Sequence, residues 1–267
     1  SSFMAPINVI MYLFSKVPTT PFLDPGKELP QLEPLRQNWQ VIRDEALALR
    51  DAQKIAASSS YNDAGFNSFF RRGWKRFYLK WYGPSHPSAK AMCPKTVALI
   101  ESIPDVRAAM FAQLPPGSEL RPHRDPFAGS LRLHLGLSTP NDDGCYIVVD
   151  GVKKSWRDGE WMMFDETYIH HAHNETDQDR VILFCDIARP LRFGLPGLFN
   201  RAVAATLLAG GASPHLPGDP TGGVTKAFGR PYTIRLQAKA LRERRWLASQ
   251  LITWGLGLAV LAGIWAL

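Results

Sequence analysis

The chemistry suggested by this chain of 267 residues starts from a histidine and an aspartate two positions apart, in the stretch RPHRDPFAGS over residues 121–130. In an extended strand, side chains two residues apart project from the same face, so His123 and Asp125 can aim an imidazole and a carboxylate at one point. Such a pair suits a metal ion. A solvated turn between Pro122 and Pro126 explains the same residues without chemistry, and the pair alone does not decide between the two interpretations.

A third candidate ligand lies in the stretch FDETYIHHAHN, where three histidines crowd together after one predicted strand and before the next. His170 comes 47 residues after His123, which is too far for a local zinc knuckle but suits two edges of a barrel mouth. One histidine of this group, with His123 and Asp125, would complete the ligand set of a non-haem Fe(II) oxygenase with open coordination positions. We interpret His171 and His173 as residues of a polar loop, and the choice of His170 depends on the strand that comes next in the chain.

Two arginines interrupt apolar strands near these residues. Arg180 comes ten residues after His170 and begins the predicted strand RVILFCDI, where a guanidinium is costly unless it meets an anion. It is therefore either paired structurally or placed to hold a carboxylate in a pocket. In LRLHLGL, Arg132 and His134 alternate with leucines and share one strand face, which is either a solvated outer face or part of the same site. Two arginines and a histidine near one iron would suit a dicarboxylate co-substrate.

The residues that carry this chemistry fall in short β-prone segments separated by turn signals such as TPNDDG and RDG. The segments are RAAMFAQL, LRLHLGLS, CYIVVDG, EWMMFDET and RVILFCDIARP. Many short strands at this spacing predict a sandwich or a barrel-like jelly roll. In front of them, residues 32–53 place apolar residues three and four positions apart, which predicts an amphipathic helix. The aromatic run RRGWKRFYLKWYG fits a core strand or a lipid contact equally well.

The last 21 residues, 247–267, contain no charged side chain. As a helix they would span roughly 30 Å, enough to cross a bilayer core, so we predict a transmembrane helix there. Just before it, RLQAKALRERRW carries five cations and one acid, which by the positive-inside tendency puts the preceding domain in the cytoplasm. The net charge of +7 favours anionic partners, and this C-terminal segment favours a membrane over nucleic acid.

The cysteines agree with a reducing compartment. Cys93, Cys145 and Cys185 show no paired spacing, and the last two lie in apolar strand-like runs, so we expect buried free thiols. The apolar stretch at residues 4–15 is too short to span a membrane, and no secretory signal is visible. With 45% hydrophobic residues, a chain of this length can build a substantial core.

Three longer stretches resemble a known family of enzymes. HRDPFAGSLRLHLGL, DGVKKSWRDGEWMMFDETYIHHAHN and DRVILFCDIARP are similar to the aspartyl/asparaginyl β-hydroxylase family of Fe(II)/2-oxoglutarate dioxygenases. Within it, MAPINVIMYLFSKVP and the apolar C-terminus resemble the bacterial lipid A 2-hydroxylases, membrane enzymes that hydroxylate a secondary acyl chain of lipid A. The resemblance covers roughly residues 4–190. It implies a mainly β fold with flanking helices, in which a double-stranded β-helix, a cupin-like jelly roll, forms the catalytic domain.

The resemblance also implies a role for each candidate residue. Arg180 would hold the distal carboxylate of 2-oxoglutarate, and Arg132 and His134 match positions that help to bind this co-substrate. Dioxygen is the second co-substrate, and decarboxylation of 2-oxoglutarate drives hydroxylation of an unactivated C–H bond. The animal aspartyl hydroxylases lack the carboxylate ligand that this chain has. The implied Fe(II) ligands are His123, Asp125 and His170.

The expected organisation is a catalytic dioxygenase domain with an N-terminal helical segment at residues 1–190, a membrane-proximal connector at 191–246 and a transmembrane helix at 247–267. The expected function is hydroxylation of C2 of a secondary acyl chain of lipid A at the cytoplasmic face of the bacterial inner membrane. Alternatives are hydroxylation of another membrane lipid, such as an ornithine lipid, or of Asp or Asn in a peptide. A non-catalytic membrane-tethered binding module is a further alternative, which the intact HxD motif, His170 and Arg180 disfavour.

Overall fold

A computed structural model describes residues 4–56, 67–70, 72–214 and 218–227 of the chain. The predicted transmembrane helix at 247–267 and the basic flank before it lie outside these residues. Within the described part, no helix combines the length and the apolar character needed to cross a bilayer. The domain boundaries proposed from the sequence remain predictions.

The described residues include ten strands, eight α-helices and a further helical segment at residues 223–227. The strands are β1 (Phe22–Leu23), β2 (Lys75–Trp81), β3 (Val106–Leu114), β4 (Glu119–His123), β5 (Ser130–Ser138), β6 (Cys145–Val149), β7 (Val152–Ser155), β8 (Trp161–Phe164), β9 (His170–Asn174) and β10 (Arg180–Ala188). The helices are α1 (Ala5–Leu13), α2 (Pro25–Glu28), α3 (Glu33–Gln37), α4 (Trp39–Asp51), α5 (Asn67–Phe70), α6 (Pro87–Met92), α7 (Pro94–Glu101) and α8 (Gly194–Val203). Helix α8 continues as a π-helical turn over Ala204–Leu208 and a 3-10 turn over Ala209–Gly211.

The strands form two antiparallel sheets. The larger has the order β1, β8, β5, β10, β3, β2, and the smaller has the order β4, β9, β6, β7. From β3 onward the chain alternates between them, since β3, β5, β8 and β10 join the larger sheet while β4, β6, β7 and β9 join the smaller one. Eight strands wound in this way form a double-stranded β-helix, or jelly roll. The predicted mainly β jelly roll with flanking helices is therefore confirmed for the described residues.

Strands β5 and β10 are neighbours in the centre of the larger sheet, and their side chains alternate between its two faces. The leucines of β5 pack on one face, in a core that also contains Ile42, Ala46 and Leu49 of α4. On the opposite face, Arg132 and His134 are buried among the aromatic side chains that lie between the two sheets. The leucine face predicted for LRLHLGL is confirmed, and the polar face points into the interior rather than to solvent.

Two sequence expectations about the N-terminal half are resolved by packing. The aromatic run forms β2, whose Phe77, Tyr78 and Leu79 are fully buried, so the core strand is the correct interpretation of these residues. The helix predicted over residues 32–53 is present but divided into α3 and α4. The division falls at Asn38, whose side-chain amide donates to the carbonyl of Pro34 and competes with the helical hydrogen bonds. The three cysteines are free and buried, as predicted.

Two regions contain regular secondary structure that the sequence analysis did not predict. The polar loop predicted for His171 and His173 is wrong, because both residues belong to β9, which pairs with β4 on one side and β6 on the other. The residues after Pro190, expected to be a connector, include α8 and the turns beyond it up to Gly211. Pro196 lies in the first turn of α8. Backbone amides there have no acceptor within the helix, so a proline, which lacks the amide hydrogen, is tolerated.

Candidate metal and co-substrate site

His123 and His170 lie opposite each other in the smaller sheet. His123 ends β4, His170 begins β9, and the two are cross-strand partners with ring centroids 4.2 Å apart. The Nδ1 atom of His123 is 2.7 Å from the carbonyl oxygen of Arg121, and that of His170 is 2.9 Å from the carbonyl oxygen of Tyr168. Because a carbonyl oxygen only accepts, both Nδ1 atoms carry the proton, which leaves each Nε2 as an electron-pair donor for a metal. Burial lowers the pKa of His170 to about 4, so its ring is neutral at pH 7, as metal binding requires.

Asp125 reaches the site from a loop and not from the strand, because β4 ends at His123. Its backbone amide donates to the carbonyl of Glu166 at 2.9 Å, which fixes the loop beside the histidines. Its carboxylate Oδ2 lies 2.9 Å from Nη2 of Arg132. Burial opposes the charge of this carboxylate, but Arg132 and His170 outweigh burial and lower the pKa of Asp125.

The predicted ligands have suitable chemistry but do not form a closed metal site. As the side chains stand, no three His, Cys, Asp or Glu residues of the described ranges are arranged to hold a metal ion. The two Nε2 atoms fit a metal such as Fe(II), since their orientation is set by bonds to backbone carbonyls. Arg132 engages one oxygen of Asp125, and a carboxylate has a second oxygen with which to bind a metal. Asp125 as the third ligand stays a prediction.

A narrow cavity between the sheets extends from the histidines to Arg180. Arg180 is the first residue of β10 and is 2% exposed, and its guanidinium makes no hydrogen bond or ion pair to the described residues. Its guanidinium carbon lies 4.4 Å from the ring centroid of Trp156. Burial lowers the pKa of Arg180 to about 10, so the side chain is still a cation at neutral pH.

Several buried polar atoms around this cavity have no hydrogen-bond partner among the described residues. They are both ring nitrogens of His134, Nε1 of Trp156 and Nε of Arg180. Burial and the neighbouring Arg180 lower the pKa of His134 well below its usual value, so that its ring is neutral. Unsatisfied buried donors are costly, and donors grouped around a cation fit an anionic ligand. One carboxylate of 2-oxoglutarate has the charge and the acceptors that these atoms lack.

The cavity is too small in this structure for a dicarboxylate. Its volume is about 30 Å³, which is room for roughly one or two water molecules. Aromatic rings form much of its wall: Phe164 and Phe184 lie with ring centroids 5.1 and 5.4 Å from that of His134. A dicarboxylate can therefore reach Arg180 once these side chains separate.

Arg132 lies two residues from His134 on β5, and its surroundings contrast with those of Arg180. Its Nη2 contacts the carboxylates of Asp125 and Glu166, and its Nε donates to Oδ1 of Asp186 at 2.8 Å. Burial opposes its charge, but the three carboxylates together raise the pKa of Arg132. The positive charge of Arg132, which was predicted to help bind the co-substrate, is thus already compensated by carboxylates of the protein. Its co-substrate role stays a prediction.

The family of the chain is established by its match to known sequences. The aspartyl/asparaginyl β-hydroxylase family matches residues 36–190, more than half of the chain and every site residue named above. The chain belongs to the aspartyl/asparaginyl β-hydroxylase family.

Individual relatives in this family are named for the hydroxylation of different substrates. An ornithine lipid ester-linked acyl 2-hydroxylase from Rhizobium tropici is 39% identical over 147 residues, which cover 53% of this chain and 52% of that protein. The human aspartyl/asparaginyl β-hydroxylase is 30% identical over 164 residues, which cover 58% of this chain and 21% of that protein. The chain thus spans about half the length of these curated relatives, or less. A prolyl-4-hydroxylase structure from Pseudomonas putida has a TM-score of 0.43 at 15% identity, covering 69% of this chain and 99% of that one, and is too distant to bear on function.

Sequence reasoning missed two buried carboxylates in this member of the β-hydroxylase family. Glu166 accepts a hydrogen bond from Ser130 Oγ at 2.6 Å, and Asp186 accepts one from Tyr82 Oη at 2.8 Å. The alternation of β10 could have revealed Asp186, because it stands an even number of residues after Arg180 and shares its face. Glu166 lies in the turn between β8 and β9, and nothing in its local sequence distinguishes it from a solvated turn residue.

Proposed function

We propose that this chain is an Fe(II)- and 2-oxoglutarate-dependent dioxygenase that hydroxylates C2 of an acyl chain of a membrane lipid. The observation that carries the proposal is the buried, unmatched Arg180 in a cavity shared with His123 and His170, inside the fold of a β-hydroxylase family member. The Rhizobium relative, named for acyl 2-hydroxylation of a lipid, supports a lipid substrate over a peptide.

Each residue has a defined task in this reaction. His123, His170 and Asp125 would hold Fe(II), which supplies dioxygen activation coupled to decarboxylation of 2-oxoglutarate. Arg180 would bind one carboxylate of the co-substrate through a charge-assisted, bidentate contact. His134, neutral and beside Arg180, would hydrogen-bond the same molecule. The aromatic walls would exclude water from the reacting centre.

We take a secondary acyl chain of lipid A as the first substrate, on the strength of the resemblance in the N-terminal stretch. The second candidate is an ornithine lipid, which the 39% identity to the Rhizobium acyl 2-hydroxylase favours. Both lipids present the same reacting group, the carbon next to an ester carbonyl in a saturated chain. The two lipids differ in their headgroups, so recognition of the headgroup would decide which of them is the substrate.

The proposed place of action is the cytoplasmic face of the bacterial inner membrane. Contiguous exposed apolar surface typically marks a contact with a membrane or a protein. Helix α1 packs beside α8 and adds exposed Val9 and Leu13 to such a surface. Arg192 and Arg201 are exposed cations of the same segment and suit anionic headgroups. The exposed apolar side chains on and around α8 are Phe193 at 75%, Leu195 at 80%, Leu198 at 64% and Leu207 at 44%.

The test is a reaction of the full chain with Fe(II), 2-oxoglutarate and dioxygen on lipid A, an ornithine lipid and an aspartate-containing peptide. We expect the mass of lipid A to rise by one oxygen on a secondary acyl chain, and we expect a metal chelator to abolish the product. Oxygen gain on the ornithine lipid alone would favour the second candidate. Oxygen gain on the peptide alone would contradict the proposal.

Alanine variants test the metal ligands. His123→Ala, His170→Ala and Asp125→Ala should each abolish product formation while the protein stays folded, because each removes one donor of the minimal set. Near-normal Fe(II)-dependent turnover in Asp125→Ala would mean that two histidines suffice, as in the animal relatives that lack the carboxylate.

A further inference from the structure

A second cleft, of about 410 Å³, reaches the candidate site at Asp125. We call it the outer cleft. At its inner end it is lined by four charged side chains: Asp125, Arg132, Glu166 and Asp186. Farther out its walls are apolar, and they include Phe69, Trp81, Leu207, Leu208 and Val224. The cleft therefore joins a polar reaction centre to an apolar path.

The charges at the inner end are occupied with one another. The three carboxylates share the one guanidinium of Arg132, and two of them also accept hydrogen bonds from Ser130 and Tyr82. Among the described residues that line the cleft, no cation is left to pair with a negatively charged substrate. An aspartyl side chain entering this cleft would meet like charges, whereas a methylene chain carries no charge to repel.

Part of the outer wall, formed by Leu207, Leu208 and Val224, comes from residues beyond the family match. Leu208 belongs to the continuation of α8, and Val224 belongs to the segment 218–227, whereas the match ends at residue 190. The Trp81 indole Nε1 donates to the carbonyl of Leu208 at 3.1 Å, which holds this wall against the jelly roll. Thr225 Oγ1 donates to the carbonyl of Gly211 at 3.2 Å, which joins the two wall segments. This part of the cleft is therefore a feature of this chain rather than of the family's shared domain.

The mouth of the outer cleft lies next to the exposed apolar surface of α8. Leu207 is 44% exposed and Val224 is 41% exposed. Leu207 also continues the helix that presents Leu198 and Phe199 to solvent. A hydrocarbon chain lying against α8 would thus meet apolar side chains at the mouth of the cleft.

A wider cleft meets the same point from a second direction. Asp125 and Pro126 also line an open cleft of about 730 Å³, together with polar side chains that include Asn8, Arg124 and Asp150. The reacting carbon of an acyl ester has a polar ester on one side and a hydrocarbon tail on the other. The wider cleft also has apolar lining residues, including Val9 and Ile169, so it is mixed in character, whereas the outer cleft is mainly apolar beyond its inner end. A mixed cleft and an apolar cleft that meet at Asp125 can take the ester side and the hydrocarbon side of this group.

We propose that the outer cleft binds the hydrocarbon tail of a fatty acyl chain, with C2 near Asp125 and the methyl end towards Leu207 and Val224. This assignment rests on the proposed function and deepens it. The cleft selects for an acyl chain and sets which chain lengths are accepted, while the ester and headgroup occupy the wider cleft.

The test narrows the mouth and measures chain-length preference. Leu207→Trp adds volume at an exposed position, and hydroxylation is monitored by mass on two lipid A samples that differ only in acyl-chain length. We expect the ratio of longer-chain to shorter-chain product to fall about tenfold, since hydrophobic pockets discriminate single methylenes by this order. Leu207→Glu, which places a charge in the path, should lower product from both lipids.

Two controls separate the cleft from the general apolar surface. Leu195→Trp changes the same helix at a residue that does not line the cleft, and Val152→Trp changes an exposed residue of β7. Both should keep the wild-type chain-length ratio, and Val152→Trp should keep wild-type turnover. An unchanged ratio in Leu207→Trp, or an equal change in Leu195→Trp, would overturn the assignment while lipid hydroxylation by the wild type still supported the proposed function. Failure of the wild type to hydroxylate any lipid would overturn both.

Discussion

Two arginines on neighbouring strands face the same interior, yet their surroundings are opposite. Arg132 on β5 meets three carboxylates, whereas Arg180 on β10 meets none among the described residues and lies against an aromatic ring. A buried guanidinium is costly unless an anion compensates it. We therefore propose that the protein supplies the anions of Arg132 and that a ligand supplies the anion of Arg180. In this proposal, the compensated charge belongs to the framework and the uncompensated charge belongs to a binding site.

The largest expected effect on stability comes from removing Arg132, the arginine whose charge is compensated by carboxylates. Arg132→Leu leaves buried Glu166 and Asp186 and half-buried Asp125 without a cation, so we expect the free energy of unfolding to fall by about 3–5 kcal/mol. Burial already raises the pKa of Glu166 and that of Asp186, and loss of the cation should raise both further. Folded carboxyls with raised pKa values bind protons more tightly than unfolded ones, so the deficit should shrink as the pH falls. Urea unfolding at several pH values measures both effects.

An exposed arginine provides the control for this prediction. Arg36 pairs with Glu33 on the surface of α3, where solvent screens the ion pair. Arg36→Leu should therefore change the free energy of unfolding far less than Arg132→Leu does. If Arg132→Leu proved as harmless as Arg36→Leu, the carboxylate cluster would not be part of the framework.

The unmatched arginine should show the reverse pattern. Arg180→Ala should weaken 2-oxoglutarate binding by roughly thirty-fold or more, because losing one partner of a buried charge pair costs about 2–5 kcal/mol. Arg180→Lys should recover part of this affinity, since an ammonium keeps the charge but not the planar fork. Arg180→Met, which keeps much of the volume, should not lower the free energy of unfolding. Co-substrate dependence of turnover, Fe(II) titration and urea unfolding of the same preparations measure these effects.

A different outcome would reassign the arginine. If Arg180→Met destabilised the fold while co-substrate affinity stayed at the wild-type value, Arg180 would belong to the framework. The carboxylate of the co-substrate would then have to be sought at Arg132.

A smaller effect is expected at Trp156. Trp156→Phe removes the buried Nε1 donor, which has no partner among the described residues, and keeps an aromatic ring beneath Arg180. Because one hydrogen bond contributes about 0.5–1.5 kcal/mol, KM for 2-oxoglutarate should rise about two- to tenfold. The smaller ring also leaves a cavity in the core, so the free energy of unfolding should fall as well. Loss of stability with an unchanged KM would show that the indole serves the fold and not the ligand.

The smallest effects should come from the two half-exposed histidines of β9. His173 stacks on Tyr146 with ring centroids 5.3 Å apart, and its Nε2 lies 3.1 Å from Nδ1 of His171. His171 also lines the cavity between the sheets, whereas His173 does not. Because neither histidine is a predicted metal ligand, we expect His171→Ala and His173→Ala to retain most of the turnover. A tenfold loss in either variant, measured beside His170→Ala, would bring that histidine into the reaction.

The sequence by itself determined which side chains share a face. Alternation along a strand is a local property, so LRLHLGL revealed a leucine face and a polar face, and the short strands between turn signals predicted the jelly roll. The residue types of His123, Asp125 and His170 indicated metal chemistry for the same local reason. The histidines of β9 were misassigned to a loop because pairing with two neighbouring strands, which no local pattern records, keeps them extended.

Only the tertiary structure decided which charges are compensated. Arg132 and Asp186 are 54 positions apart, and they meet because β5 and β10 pair in the larger sheet. The same holds for the outer cleft, whose walls combine the jelly roll with Leu207, Leu208 and Val224 from the segment that sequence reasoning took for a connector. Whether a charge is compensated, and whether a cleft is walled, depends on distances between residues that are far apart in the sequence. These distances follow only from the complete pattern of strand pairing, which local sequence patterns do not record.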